Sequence, residues 1–232
     1  MGLGGDAIMG INIGSTSATG VWIGSGNNDI AREGLIFWID SGNYRSYIGS
    51  GTTIYDLSGN NNNGTISGGP TFSNGYLDFD GTDDYINVTN SLGTLTSFTL
   101  EVWAKRDDTS GNEYYMDSRN GSTSYFWFLS EYGSYDYNFH DLTRFNDSNS
   151  YTTWHQILVT ENASGCAIYL NGVQKGTGAT SSGIGANMRI GTRYTGSGFW
   201  NGQMAIVRVY NRDISESEIL YNFHANRARF GI

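Results

Sequence analysis

Residues Phe98–Lys105 read Phe-Thr-Leu-Glu-Val-Trp-Ala-Lys, and this alternation constrains the fold more than any other feature of the chain. A period of two places Phe98, Leu100, Val102 and Ala104 on one side and Thr99, Glu101, Trp103 and Lys105 on the other. That predicts a strand with one covered face. Shorter runs of the same kind recur at Leu35–Ile39, Tyr85–Val88, Tyr125–Leu129, Trp154–Thr160, Cys166–Leu170 and Met204–Tyr210. Turns separate them, drawn from 33 glycines and with a single proline, Pro70. The glycines do not recur at every third position, which excludes collagen. Asn171-Gly172 closes a two-residue hairpin, because both residues tolerate a positive φ. The pattern predicts an all-β chain: two antiparallel sheets packed as a sandwich or jelly roll, which 232 residues can build around a real core.

One helix is legible, at the C-terminal end. Ser215 followed by Glu218 is a capping box, in which each side chain satisfies an orphan backbone donor of the other. Ile214 and Ile219 flank the cap as a hydrophobic staple. Ile219, Phe223 and Arg227 share one face, and Arg227 and Arg229 stand where a helix C-terminus favours cations. The helix is expected over residues 216–227, with its first turns on the sandwich.

Residues 1–31 read differently. Short apolar pieces (Ile8–Ile13, Val21–Ile23) are cut by Gly10, Gly14, Gly20, Gly24 and Gly26, too short to bury a core of their own. We read 1–31 as a glycine-rich anchoring or oligomer-contact arm and 32–232 as the folded domain. Ile11, Ile13, Val21, Trp22 and Ile23 dislike water and are expected to contact another chain, in a homo-oligomer with a trimer the first guess. The first residues lack the basic and apolar regions of a secretory signal, so folding in a cytoplasm is expected. Twenty-two acidic against thirteen basic residues, with no basic run, argue against nucleic acid as a partner. No apolar run approaches the ~18 residues of a membrane span.

Several stretches together resemble a laminin-G-like domain, the concanavalin A-like jelly roll. They are YDLSGNNNNGT (Tyr55–Thr65), LDFDGTDDYINV (Leu77–Val88), FTLEVWAKRDD (Phe98–Asp108), WHQILVTENASGCAIYLNGV (Trp154–Val173), RIGTR (Arg189–Arg193) and FWNGQMAIVRVYNRDISESEI (Phe199–Ile219). The similarity runs from about Gly34 to Phe223. It implies two antiparallel sheets and one short C-terminal helix. The end of the chain, ILYNFHANRARFGI, further resembles the ends of such domains in structural proteins of tailed bacteriophages. The fold itself assigns no activity, since relatives include lectins, glucanases, adhesion modules and virion parts.

Chemistry must therefore come from particular residues. A retaining glycosidase needs two carboxylates about 5–5.5 Å apart across the sugar. Asp78 and Asp80 are spaced for one strand face, but Gly81 interrupts the strand there, and Glu101 has no acidic neighbour at 99 or 103. The expectation is no enzyme. His140, His155 and His224 are not spaced as metal ligands, and Cys166, alternating with Ile168 and Leu170, reads as a buried small hydrophobe. No cofactor is called for. Calcium is the metal the resemblance raises, and Asp80, Asp83 and Asp84 are the candidates to hold it. Against it, relatives commonly carry acids after the Gly-x-Ile of the last strand, where this chain has Ala205 and Ile206. Sugar binding by exposed aromatics is better supported, with Trp127, Tyr132, Tyr135 and Tyr137 the candidates. The functional expectation is a non-enzymatic decoration or appendage protein of a bacteriophage virion, assembled in the host cytoplasm. Its partners would be other virion proteins or itself, with a glycan as ligand. The alternative is a lectin module of a cell-surface or secreted protein.

Overall fold

A computed structural model describes residues 30–89, 92–108, 111–120, 123–130, 137–147 and 150–232. The arm residues Ile11, Ile13, Val21, Trp22 and Ile23 lie outside them. In chain order the strands are β1 (Leu35–Asp40), β2 (Thr53–Ile54), β3 (Gly64–Ser67), β4 (Thr71–Ser73), β5 (Tyr76–Asp80) and β6 (Tyr85–Val88). They continue with β7 (Phe98–Arg106), β8 (Glu113–Asn120), β9 (Thr123–Ser130), β10 (Tyr137–Phe139) and β11 (Thr143–Phe145). The last are β12 (His155–Asn162), β13 (Gly165–Leu170), β14 (Val173–Gly178), β15 (Asn187–Ile190) and β16 (Asn201–Tyr210), followed by helix α1 (Glu216–Phe230).

The strands form two antiparallel sheets. The first runs β14-β13-β12-β7-β16-β5-β4, with β1 also on β16; the second runs β11-β10-β9-β8-β15-β6-β3-β2. Ten residues long, β16 has β5 beside its first half and β1 beside its second. The inner faces meet in a core built as the alternation requires: Phe98, Leu100, Val102 and Ala104 of β7 pack with Ile157, Val159, Met188, Ile190 and Val207. The hairpin at Asn171-Gly172 forms as expected, with φ of 52° and 78° and Leu170 paired to Val173.

The sequence reading of β7 needs a correction. One covered face was expected, yet Thr99, Glu101 and Trp103 on the other side are also buried. The cover is α1. Its capping box forms as expected, and the helix continues to Phe230, three residues beyond the expected end, where Gly231 turns left-handed at φ 73°. Ile214, Ile219 and Phe223 form a second core with Trp38, Trp103, Leu158 and Ile206 on the outside of the first sheet. Burying Ile219 and Phe223 contributes roughly 1.5–3 kcal/mol each, which a helix of this length needs in order to persist. Arg227, in the last turn, is exposed and lies over the Phe223 ring at 5.3 Å.

Ile30 and Ala31, counted with the arm in the sequence, are buried in the second core.

Candidate functional site

One ladder row crosses the outer face of the second sheet. Thr65 pairs with Asn87, Asn87 with Arg189, and Arg189 with Asp117. Directly paired residues share a face, and their strand neighbours Ile86, Val88, Met188, Ile190 and Met116 are buried inward, so the row faces outward. Arg189 is the fixed point. Its guanidinium carbon lies 4.8 Å from the Tyr85 ring centre and 4.9 Å from that of Tyr194, and Nη1 donates to the Tyr194 carbonyl at 2.9 Å. Asp117 Oδ2 accepts from the Tyr194 backbone N at 2.9 Å and so holds the loop that supplies the second ring. A cation held between two rings loses little further freedom when a ligand arrives. With Asn87 beside it, the row offers amide, guanidinium and aromatic groups, the kinds a sugar site combines.

The opposite outer face is mostly closed by α1, over a polar network that sequence reasoning missed. Glu101 is fully buried, with Oε1 accepting from Arg208 Nη1 at 2.8 Å, Gln156 Nε2 at 2.9 Å and Trp103 Nε1 at 3.0 Å. Its Oε2 accepts from Asn222 Nδ2 at 2.9 Å. Asn222 also donates to the Tyr210 hydroxyl and accepts from the backbone N of Ala31, while Tyr210 donates to the Ala31 carbonyl. Burial beside Glu101 pushes the Tyr210 phenol well above its ordinary range. A carboxylate with every direction occupied by donors is a fastening and not a reacting group. The sequence held a signal: Asn222 and Asn226 stand four residues apart on a helix face that also carries Ile219 and Phe223.

Comparison with known proteins fits this architecture. The sequence profile of the concanavalin A-like lectin/glucanases superfamily matches residues 80–220. The chain belongs to that superfamily. No curated protein matches it. Among solved structures, domain 4 of the arabinanase AbnA from Geobacillus stearothermophilus, in complex with arabinotriose, is similar at a TM-score of 0.62 and 15% identity. That match covers 80% of this chain and 96% of the AbnA domain. The binding domain of botulinum neurotoxin serotype D gives a TM-score of 0.62 at 15% identity, over 84% of this chain and 51% of that one. Trypanosoma rangeli sialidase in complex with sialic acid gives 0.61 at 15%, over 84% of this chain and 33% of the sialidase. At such identities the similarity establishes the fold.

Within this concanavalin A-like domain the expected site residues fall in different places. Asp80, Asp83 and Asp84 do come together, each with a carboxylate oxygen within 4.8 Å of the others. Two of the three serve the turn itself, since Asp80 Oδ1 accepts from Thr82 N at 2.8 Å and Asp84 Oδ2 from Asp80 N at 3.0 Å. The first is an Asx-type bond, and the second ties the two ends of the turn together. Burial, reinforced by Asp80, Asp83 and Asp78, raises the Asp84 carboxyl above its ordinary range. A hard cation would offset that crowding, and these three are the residues that would hold one; Ala205 and Ile206 are buried and add no ligand.

Tyr137 is a correction. It was expected as an exposed sugar platform but is fully buried, stacked on Phe145 at 4.7 Å and edge-on to His155 at 5.5 Å. It begins β10, whose three residues are all buried. Tyr132 and Tyr135 lie outside the described residues. Trp127 belongs to β9 and pairs with Asp117, which extends the row of Asn87 and Arg189 by its ladder position. Cys166 is buried as expected, and burial next to Glu161 pushes its thiol up to about 11, which keeps it protonated and inert. Burial also raises the Glu113 carboxyl to about 7 against the pull of Arg106. Both its oxygens are taken, by Arg106 Nη2 at 2.8 Å and Asn201 N at 2.9 Å.

Proposed function

We propose that this chain is a non-enzymatic carbohydrate-binding domain displayed on a bacteriophage virion, taking its glycan on the outer face of the second sheet. The observation that carries the reading is Arg189, held between Tyr85 and Tyr194 in line with Asn87 and Asp117. Rigid donors beside aromatic rings bind hydroxyl-rich ligands without first paying to order themselves. Superfamily membership and the arabinotriose bound to the AbnA domain support a sugar as the ligand class. Against a catalytic role for them, Glu101, Glu113 and Asp84 are committed to internal partners. The virion setting is supported by the resemblance of Ile219–Ile232 to the ends of phage structural proteins.

A glycan array probed with the wild-type chain and with Arg189→Gln tests the site. Binding that falls about tenfold or more in the variant is expected, the loss of a charge-assisted hydrogen bond. Unchanged binding, or none by the wild type, overturns it. Mass spectrometry of purified phage particles tests the setting, where absence of the chain from the particle refutes display.

A further inference from the structure

We infer that the outer face of the first sheet carries a second ligand site, for a neutral hexopyranose, at the corner that α1 leaves open. The inference shares with the proposed function only the sugar class of the ligand and uses none of the same residues.

Ladder register assembles the corner. Lys105 pairs with Gln203 and Gln203 with Asp78, which pairs with Thr71. Trp154 immediately precedes His155, the partner of Ala104, so it stands level with Lys105. Three strands away, Tyr76 lies two residues before Asp78 on the same side of β5. The Tyr76 and Trp154 rings nevertheless meet above the sheet, with centres 5.6 Å apart. Phe230, the last residue of α1, packs on Trp154 at 4.6 Å and on Trp103 at 4.6 Å, supporting the pair from behind. Tyr76, Trp154 and Phe230 are each half-buried, so this is a shelf with an exposed surface.

Beside the shelf stands a prearranged polar group. Gln203 is 6% exposed, and its Nε2 is shared between Asp78 Oδ1 at 2.7 Å and the two oxygens of Asp107 at 3.2 and 3.1 Å. Lys105 Nζ stands 3.9 Å from Asp107 Oδ1. The Lys105 and Asp107 side chains remain 33% and 45% exposed. One buried amide thus fixes two carboxylates at a set spacing, with an ammonium alongside.

The chemistry selects the ligand. The apolar face of a pyranose stacks on an aromatic shelf, and its hydroxyls donate to carboxylates and accept from an ammonium. Two carboxylates against one ammonium leave the corner net negative on a chain of charge −9, which repels an acidic sugar. A neutral hexose remains. The Arg189 row balances its cation with Asp117, whereas this corner is net negative, so the two faces would select different glycans.

The test uses the full chain and neutral glucose, mannose and galactose oligomers, with sialyllactose as the acidic probe, read by saturation-transfer NMR and calorimetry. Binding of a neutral oligomer is expected, weakened about tenfold or more by Asp78→Asn with Asp107→Asn. That double variant should keep any binding that depends on Arg189. Trp154→Ala should abolish neutral-sugar binding. Because Trp154 also supports Phe230, the aspartate variant, judged alongside its melting curve, decides if the alanine variant unfolds. No neutral oligomer bound, or binding indifferent to the aspartate pair, overturns the inference. Neutral-sugar failure with Arg189-dependent binding intact overturns this site alone, whereas failure of both refutes the sugar reading as well.

Discussion

His155 lies fully buried between the sheets with both ring nitrogens committed. Nδ1 is 2.9 Å from the Thr153 carbonyl, which can only accept, so Nδ1 carries the proton and Nε2 accepts from the Tyr115 hydroxyl at 2.7 Å. Burial lowers its pKa from 6.5 to about 4, against a smaller upward pull from Thr153. Between those values the unfolded chain binds a proton that the folded chain refuses. Stability from this residue is therefore complete above pH 6.5 and is lost as pH falls to about 4, on the order of 3 kcal/mol in all. Glu113 slopes the other way. Its folded carboxyl near 7 keeps a proton that the unfolded one, at 4.5, has released, so its contribution declines as pH rises between them. The wild type minus His155→Gln isolates the histidine: urea midpoints should converge on acidification from pH 7 to 4, and parallel curves would refute the assignment. The Glu101–Arg208 pair makes a second prediction. Glu101→Leu or Arg208→Met alone strands a buried charge and should cost about 3–5 kcal/mol, whereas the double variant should cost much less than the sum. Chemical denaturation of all three checks it, and additive losses would count against a coupled pair.

At the scale of elements, α1 separates a cap from a docking face. Ser215 accepts from the Glu218 backbone while Glu218 reaches back to Ser215 N and pairs with Arg212, which holds the Glu218 carboxyl down to about 2. Ser215→Ala should cost about 1 kcal/mol through the cap, and Phe223→Ala about 3–5 kcal/mol through the second core. Equal, negligible shifts in denaturant midpoints would mean that the helix does not hold the sheet. What was legible follows the same division. The capping box, the Asn-Gly hairpin and the alternation of β7 depend on residues close in sequence, and the structure reproduces each of them. Two covered faces on β7 depend on a helix more than a hundred residues away, and a strand reading Thr-Leu-Glu-Val does not reveal that the glutamate will meet an arginine of β16. β8 escaped notice because Glu113, Tyr115, Asp117 and Ser118 are all buried by later partners, which erases the polar alternation. Arg189 as a site residue escaped notice for a similar reason: its two tyrosines, 85 and 194, come from a preceding strand and a following loop.

The molecule as a whole has two unlike sides. One sheet carries the half-buried Arg189 on its outer face, while the other is fastened beneath α1 together with Ile30 and Ala31. Ile30, the first described residue, packs on the helix side, on the face opposite the Arg189 row. The first two packed residues also define where the chain can be cut. Ala31 N donates to Asn222 Oδ1 at 2.8 Å and its carbonyl accepts from Tyr210 at 3.1 Å, so removing it leaves two buried polar groups unpaired, about 1–3 kcal/mol. A chain starting at Ile30 should melt with the full-length protein, and one starting at Arg32 should melt lower by roughly 2–4 °C per kcal/mol lost. Sedimentation of the same chains examines the arm. If Ile11, Ile13, Val21, Trp22 and Ile23 contact a sister chain, the full-length protein sediments as an oligomer and the chain from Ile30 as a monomer, with melting otherwise preserved. Linked copies raise one another's effective concentration, so the oligomer should persist on dilution well beyond what one short apolar segment could sustain. Identical sedimentation of the two would refute the arm as an oligomer contact while leaving the folded body and both candidate sites as described.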